Sequence, residues 1–135
     1  MCSKTILFVE DDEDDRDLLS MAIQEINASA KLVFMENGLR ALEYLNGVKQ
    51  ASQLPCLIVL DLNMPFLDGK ETYQKIKEDL QLDEVPVVIF TSSSNPNDRE
   101  LFSRQGVEFI TKPDNFSMMN TIVVHMLDLC GKHPN

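Results

Sequence analysis

Polar and charged residues follow four of the short apolar runs in this 135-residue sequence. They are Glu10, Asp11 and Asp12 after one run, Asp61 and Asn63 after a second, Thr91 and the serines at 92–94 after a third, and Lys112 after a fourth. Two carboxylates about 4 Å apart repel each other by roughly 4 kcal/mol at an effective dielectric near 20, so clustered acids favour a bound cation. Mg²⁺ takes oxygen ligands, uses one or two carboxylates and keeps positions for water and phosphate. If these runs end at one place, the sequence predicts a Mg²⁺ site there.

The same residue types suit phosphoryl transfer. A carboxylate can act as the nucleophile and form an aspartyl phosphate. The metal ion and the Lys112 ammonium would offset negative charge on the phosphoryl oxygens, and the Thr91 hydroxyl would donate a hydrogen bond to the new group. The acids at 11–15 lack the glycine and the distal glutamate of a Ca²⁺-binding loop, so Mg²⁺ is the expected ion.

Short apolar segments alternate with helical patterns along the chain. The predicted strands are 5–9, 31–35, 56–61, 86–91 and 108–112, and at least three are apolar almost throughout, as in a parallel sheet covered on both faces. A helical repeat of apolar residues follows each strand. Five successive strand–helix units predict an α/β protein with right-handed crossovers. Ligands of such sheets bind beyond the carboxyl ends of the strands, where the polar residues lie.

Composition argues against several classes of partner. The chain carries 22 acidic and 12 basic residues and a formal charge of −10, so nucleic acid and anionic membranes would repel it. The apolar runs are too short to span a bilayer, and we expect no signal peptide. The three cysteines, Cys2, Cys56 and Cys130, are far apart and lack metal-ligand spacing, which favours a reducing cytoplasm.

Four segments in order resemble the receiver domain of two-component response regulators. They are ILFVEDD (6–12), LIVLDLNMPFLDG (57–69), VVIFTSS (87–93) and FITKP (109–113). The resemblance covers nearly the whole chain and is to a stand-alone, chemotaxis-regulator-like receiver. It implies a flavodoxin-like, doubly wound sheet of five parallel strands in the order 2-1-3-4-5 with five helices. The expected single domain is 1–135, with its core at about 4–130 and a tail at 131–135.

The resemblance also implies which residues form the phosphorylation site. Asp61 resembles the phosphoacceptor, and Glu10 and Asp11 resemble the acidic pair beside the metal. The implied Mg²⁺ ligands are the side chains of Asp11 and Asp61 and the backbone carbonyl of Asn63, with Glu10 next to them. Lys112 resembles the lysine that binds the phosphoryl oxygens.

A second set of residues resembles the conformational switch of the family. Thr91 is similar to the switch hydroxyl, and Phe109 occupies the position of the switch aromatic. The family more often has Tyr there, and Phe109 has no hydroxyl. The family also more often has Asp at the position of Glu10. The Lys112–Pro113 bond is commonly cis in the family, which proline tolerates at modest cost.

The remaining acids after the first strand have a simpler interpretation. Asp12, Glu13, Asp14 and Asp15 are expected only to solvate a helix start and to interact favourably with its dipole. Asp68, which precedes Gly69, is expected to begin another helix.

The resulting hypothesis is a phosphorylation-dependent signalling switch that is not a conventional turnover enzyme. A sensor histidine kinase or a phosphotransfer protein would donate the phosphoryl group to Asp61. A downstream protein target would recognise the face formed by the fourth helix, fifth strand and fifth helix. Three alternatives stay open: a Mg²⁺-dependent phosphatase with an Asp nucleophile, a flavodoxin, and a receiver-like binding module that is not phosphorylated.

Overall fold

The computed structural model describes residues 5–51, 53–64, 66–93 and 95–132. Strands and helices alternate along this part of the chain, and a short 3-10 helix at Leu82–Glu84 lies before the fourth strand. The elements are β1 (Thr5–Val9), α1 (Glu13–Ile26), β2 (Lys31–Met35), α2 (Gly38–Gln50), β3 (Leu57–Leu60), α3 (Gly69–Glu78), β4 (Val87–Thr91), α4 (Pro96–Arg104), β5 (Glu108–Thr111) and α5 (Phe116–Lys132). The five predicted strand–helix units are confirmed, with strand ends shifted by one residue at most.

All five strands are parallel and form one sheet in the order β2-β1-β3-β4-β5. This confirms the flavodoxin-like order that the resemblance implied. The chain runs from β1 to one side of the sheet and then returns past β1 to β3, so the direction of winding reverses between β1 and β3. Ligand sites of such sheets lie at this reversal, beyond the carboxyl ends of the strands.

The sheet separates two apolar layers, which explains why the strands are apolar on both faces. In β1, Leu7 and Val9 pack in the layer that contains residues of α2, α3 and α4. Ile6 and Phe8, which alternate with them, pack in the layer that contains residues of α1 and α5. Because side chains alternate across a strand, each residue of β1 is buried on one face or the other.

The helices begin near the carboxyl ends of the strands and carry side-chain caps. Asp12 accepts hydrogen bonds from the backbone N–H groups of Asp14 and Asp15 at the start of α1. Asp68 accepts one from the N–H of Glu71 at the start of α3, as the sequence predicted. These caps satisfy N–H groups that have no partner within the helix and fix where each helix begins.

Gly69 allows α3 to begin directly against the end of β3. A Cβ atom at this position would collide with the carbonyl oxygen of Asp61 and the backbone of Leu62. The N–H of Gly69 donates a hydrogen bond to the carbonyl of Leu62, 3.1 Å away. The helix start therefore supports the backbone of Asp61, and only glycine fits without a shift of that backbone.

Three features differ from the sequence-based expectations. Cys56 and Cys130 form a disulfide across 74 residues, a pairing that wide sequence spacing does not reveal and that disagrees with an interpretation based on reduced thiols. The described residues contain no cis peptide bond, so the expectation of a cis Lys112–Pro113 bond is wrong; the trans form is the lower in energy unless packing selects cis. α5 extends to Lys132 and so includes part of the predicted tail.

Within the described part of the chain, none of the helices has the length and apolar character needed to cross a membrane.

Candidate functional site

Backbone hydrogen bonds continue past the strand ends and bring the predicted site residues to one edge of the sheet. The N–H of Glu10 donates to the carbonyl of Met35 at 2.9 Å, and the N–H of Asp61 donates to that of Val9 at 3.1 Å. The N–H of Lys112 donates to the carbonyl of Thr91 at 2.8 Å. Each strand therefore presents its next side chain at the same edge.

Three carboxylates meet at this edge. One oxygen from each of Glu10, Asp11 and Asp61 lies within 4.8 Å of the other two. Glu10 and Asp61 are only 3% and 4% exposed, whereas Asp11 is exposed. Two of the three charges are thus largely removed from water, and the third leaves one side of the cluster open to solvent.

Lys112 joins three acids from three different segments. Its Nζ lies 2.7 Å from an oxygen of Glu10, 2.7 Å from one of Asp15 and 3.1 Å from one of Asp61. An ammonium has three N–H donors, so these three contacts can use all of them. The Lys112 side chain is 12% exposed, and its Nζ lies 5.9 Å from the centroid of the Phe90 ring.

This burial and crowding change the proton affinities of the two most enclosed groups. Burial raises the pKa of Glu10 to about 7; the Asp61 charge raises it too, and contacts with Lys112 partly oppose the shift. Burial disfavours the charged form of Lys112, but its hydrogen bonds to Asp15 and Glu10 and the nearby Asp61 charge outweigh this, so its pKa lies above the usual value. The site therefore holds a permanent ammonium beside more negative charge than it can neutralise.

The donor set fits a hard divalent cation. The carboxylates of Glu10, Asp11 and Asp61 offer oxygen atoms only, and Mg²⁺ and related ions prefer oxygen. The N–H of Asn63 donates to Asp61 Oδ1 at 3.3 Å, which keeps the exposed Asn63 next to the cluster. A cation here would also relieve the repulsion that one lysine leaves.

Thr91 and Phe109 lie on the β4–β5 side of the site. Thr91 is fully buried, and its hydroxyl oxygen accepts a hydrogen bond from the N–H of Ser93 at 3.2 Å. Phe109 pairs with Ile89 in the register of β4 and β5, two residues before Thr91, and is half-buried. The guanidinium of Arg99 lies 4.8 Å from the Phe109 ring centroid. Phe109 therefore lies on the edge strand β5 and packs against the apolar layer that contains residues of α4, where its ring centroid is 6.2 Å from that of Phe102.

Asp15 is a site residue that was not predicted from the sequence. The expectation that the acids at 12–15 only solvate a helix start is wrong for this residue, because its carboxylate contacts Lys112. The first turn of α1 follows β1 immediately, so it lies at the same sheet edge as the other acids. The sequence is enough to predict that these acids lie near this edge. Which of the four acids reaches Lys112 depends on how α1 packs.

A second missed group connects α3 and α4 beside the site. Asp98 in the first turn of α4 is 8% exposed; it accepts a hydrogen bond from the Ser93 hydroxyl at 3.1 Å and pairs with Lys70 at 2.5 Å. The pair raises the pKa of Lys70. These contacts attach the segment after Thr91 to both helices.

Comparison with known proteins gives the family. The sequence model of the response regulator receiver domain matches residues 6–123, and the matched range contains every one of the site residues described above. The chain belongs to the response regulator receiver domain family. Its fold is therefore that of the receiver domains of two-component systems.

Three comparisons with two proteins show how similar this receiver domain is to its relatives. Response regulator Rcp1 of Synechocystis sp. is 37% identical over 97 residues, which cover 70% of this chain and 66% of that protein. The structure of the phosphorylated cyanobacterial phytochrome response regulator RcpA matches with a TM-score of 0.85 and 31% identity, covering 97% of this chain and 96% of that one. The Mn²⁺-bound form of Rcp1 matches with a TM-score of 0.83 and 33% identity, covering 93% and 96% of the two chains. In the sequence comparison, this receiver domain spans just under two thirds of the length of Rcp1.

Proposed function

We propose that Asp61 accepts a phosphoryl group and that the modified domain acts as a signalling switch. The observation that carries the proposal is the convergence on Lys112, whose Nζ lies within 3.1 Å of oxygens from both Glu10 and Asp61. These residues follow three different strands, so the arrangement exists only in the folded chain. The related RcpA structure is described as phosphorylated, which supports the same chemistry here.

The proposed reaction transfers a phosphoryl group from a nitrogen or oxygen atom of the donor to a carboxylate oxygen of Asp61. An Asp61 carboxylate oxygen attacks the phosphorus of the donor. The bond from phosphorus to the donor atom breaks, and its electron pair stays on that atom, which is an imidazole nitrogen of a phosphohistidine or a carboxylate oxygen of acetate. Lys112 donates to one phosphoryl oxygen and the Thr91 hydroxyl to another, which stabilises the charge that develops there.

We propose Mg²⁺ as the resident cation. Glu10, Asp11 and Asp61 would hold it together with the backbone carbonyl of Asn63. When bound, Mg²⁺ would supply positive charge at the transferring phosphoryl group. The Mn²⁺ in the related Rcp1 structure supports a divalent ion in this family, and the all-oxygen donor set of this chain supports the same choice.

The proposed partners are a sensor histidine kinase or phosphotransfer protein as donor and a protein target as receiver of the signal. No nucleic acid or membrane is involved in this proposal. The face of α4, β5 and α5 would report phosphorylation. Phe109 lies on β5, and β4, which ends at Thr91, lies between β5 and the strand that precedes Asp61. A shift of Thr91 towards a phosphoryl group would open space towards Phe109, which would then favour one of two surface conformations. Neither step requires turnover of a substrate.

The test is phosphate incorporation from acetyl phosphate in millimolar Mg²⁺. We expect the wild-type chain to take up one acid-stable, base-labile phosphate and the Asp61→Asn variant to take up none. Asp14→Asn is the matched control, because Asp14 is an exposed acid at the start of α1. Labelling of Asp61→Asn at the wild-type level would refute the assignment.

The phosphate assay separates two of the three alternatives, and a co-purifying ligand would identify the third. Rapid release of phosphate from many equivalents of donor would indicate the phosphatase, since a switch keeps the group long enough to signal. Absence of label on the folded wild-type chain would indicate the binding module. A flavin that purifies with the chain would indicate a flavodoxin, although the acids after β1 would repel its phosphate.

A further inference from the structure

Asp15 lies outside the set of residues expected to hold the metal or the phosphoryl group, yet it contacts the site lysine. Its Oδ2 lies 2.7 Å from the Nζ of Lys112, as close as the oxygen of Glu10. The Asp15 side chain is 28% exposed and the Lys112 side chain 12%, so this ion pair is shielded from solvent more than a typical surface pair. The pair links the first turn of α1 to the end of β5 across 97 residues of sequence.

The start of α1 holds Asp15 in place. The backbone N–H of Asp15 donates to Oδ1 of Asp12 at 3.3 Å, and the N–H of Asp14 donates to the same oxygen at 2.9 Å. The cap therefore fixes the backbone from which the Asp15 carboxylate extends. The carboxylate is attached to a rigid element, whereas the lysine side chain has four rotatable bonds and loses rotamer freedom when it is held.

The three acids that contact Lys112 have different proposed roles. Glu10 and Asp61 belong to the carboxylate group that would hold a cation, and Asp61 would carry the phosphoryl group as well. Of the three acids, only Asp15 has neither role. It can keep one N–H of Lys112 occupied while the oxygens of the other two acids serve the cation and the donor.

We propose that Asp15 is a positioning residue for phosphoryl transfer to Asp61. It holds the Lys112 ammonium on the α1 side of the site, so that the other N–H groups of the lysine point towards the phosphoryl oxygens. This inference rests on the proposed function. Holding a charged donor in place before the reaction lowers the barrier, because the entropy of ordering that donor is lost during folding instead of during transfer.

Two other roles of Asp15 would give different experimental results. If Asp15 drew Lys112 away from the phosphoryl group, its removal would accelerate transfer. If it merely stabilised the fold, its removal would lower the melting temperature and leave the transfer rate of the folded protein unchanged. The sign and the dependence on Lys112 therefore distinguish positioning from competition and from a structural role.

The experiment measures the second-order rate constant for phosphorylation by acetyl phosphate at saturating Mg²⁺. We expect Asp15→Asn to lower it about tenfold, equivalent to about 1.4 kcal/mol in the barrier. Asp14→Asn removes the same charge from the same helical turn and should stay within about twofold of wild type. Asp15→Glu restores the carboxylate and should recover most of the rate. If Asp15→Asn does not fold, Asp15→Ser gives the same measurement.

The Lys112→Ala background supplies the decisive control. Asp15→Asn should have no further effect there, because the positioned ammonium is already gone. An equal tenfold loss in that background, or a rate of Asp15→Asn at or above wild type, would overturn the inference while labelling of wild type at Asp61 still supported the function. If the wild-type chain takes no label, the proposed function fails and this inference fails with it.

Discussion

Lys112→Met tests whether one ammonium balances the acidic edge. The substitution keeps an unbranched apolar side chain. It removes the one positive charge that, among the residues the structure describes, contacts Glu10, Asp15 and Asp61 together. Removing one partner of a buried ion pair costs about 3–5 kcal/mol, because the remaining charge stays buried and unpaired. Glu10, whose pKa is about 7, can take up a proton near neutral pH and so neutralise one of these charges. We therefore expect the lower end of the range, a loss of about 3 kcal/mol.

The assay is urea unfolding in EDTA at pH 7.5, followed by circular dichroism. For an m-value of about 2 kcal/mol per molar urea, the midpoint should fall by about 1.5 M. Lys70→Met is the matched control. Within the described residues, Lys70 forms an ion pair with one acid, Asp98, and its side chain is 47% exposed, so its loss should cost at most about 1 kcal/mol.

Two further conditions follow from the same reasoning. Millimolar Mg²⁺ should remove most of the difference between Lys112→Met and wild type, since a divalent cation supplies the missing positive charge. Lower pH should reduce the difference as well. The pKa of Glu10 in the folded state lies above its ordinary value of 4.5, so the folded state takes up this proton first and gains stability as the pH falls from about 7 towards 4.5. A loss equal to that of Lys70→Met, or one that neither Mg²⁺ nor pH changes, would refute the argument.

Three other predictions concern the metal, the disulfide and the helix start. Mg²⁺ at ten times its dissociation constant should stabilise the wild-type chain by about 1.4 kcal/mol and raise its melting temperature; an unchanged shift in Asp11→Ala would place the metal elsewhere. Reduction of the disulfide, which closes 74 residues, should cost at most about 4.5 kcal/mol. Cys130→Ser should show the same loss in denaturant and no response to reductant, and a wild-type chain that ignores reductant would contradict the bond. Gly69→Ala should cost about 1–3 kcal/mol because the new Cβ meets the Asp61 carbonyl. Gly47→Ala, in the open part of α2, should instead stabilise by up to about 1 kcal/mol, and equal effects of the two substitutions in chemical denaturation would show that the contact is unimportant.

The sequence alone was sufficient to predict the strands and helices and the edge of the sheet at which the site lies. Strands such as Leu57–Leu60 are apolar at every position, and this pattern requires cover on both faces. The alternation of such strands with helical repeats then requires crossovers and a parallel sheet. In a parallel sheet, residues that follow the strands meet at one edge, so the sequence alone is enough to group Glu10, Asp61 and Lys112.

Contacts between side chains from distant segments were harder to predict. Asp15 belongs to a run of four acids whose local roles are alike, and only the packing of α1 against the sheet decides which one reaches Lys112. The Cys56–Cys130 bond depends on α5 returning to the start of β3. The sheet order itself came from the resemblance, because periodicity shows that strands are buried and does not show which strands are neighbours.

By itself, the sequence determined that this chain is an α/β protein with acids, a hydroxyl and a lysine at the ends of its strands, because hydrophobic period and residue type are local properties. Only the tertiary structure decided that one ammonium is shared among Glu10, Asp15 and Asp61 and that Glu10 is buried enough to raise its pKa. The physical reason is distance: Coulomb and hydrogen-bond energies are set over a few ångströms between groups that are up to 102 positions apart in the chain, from Glu10 to Lys112.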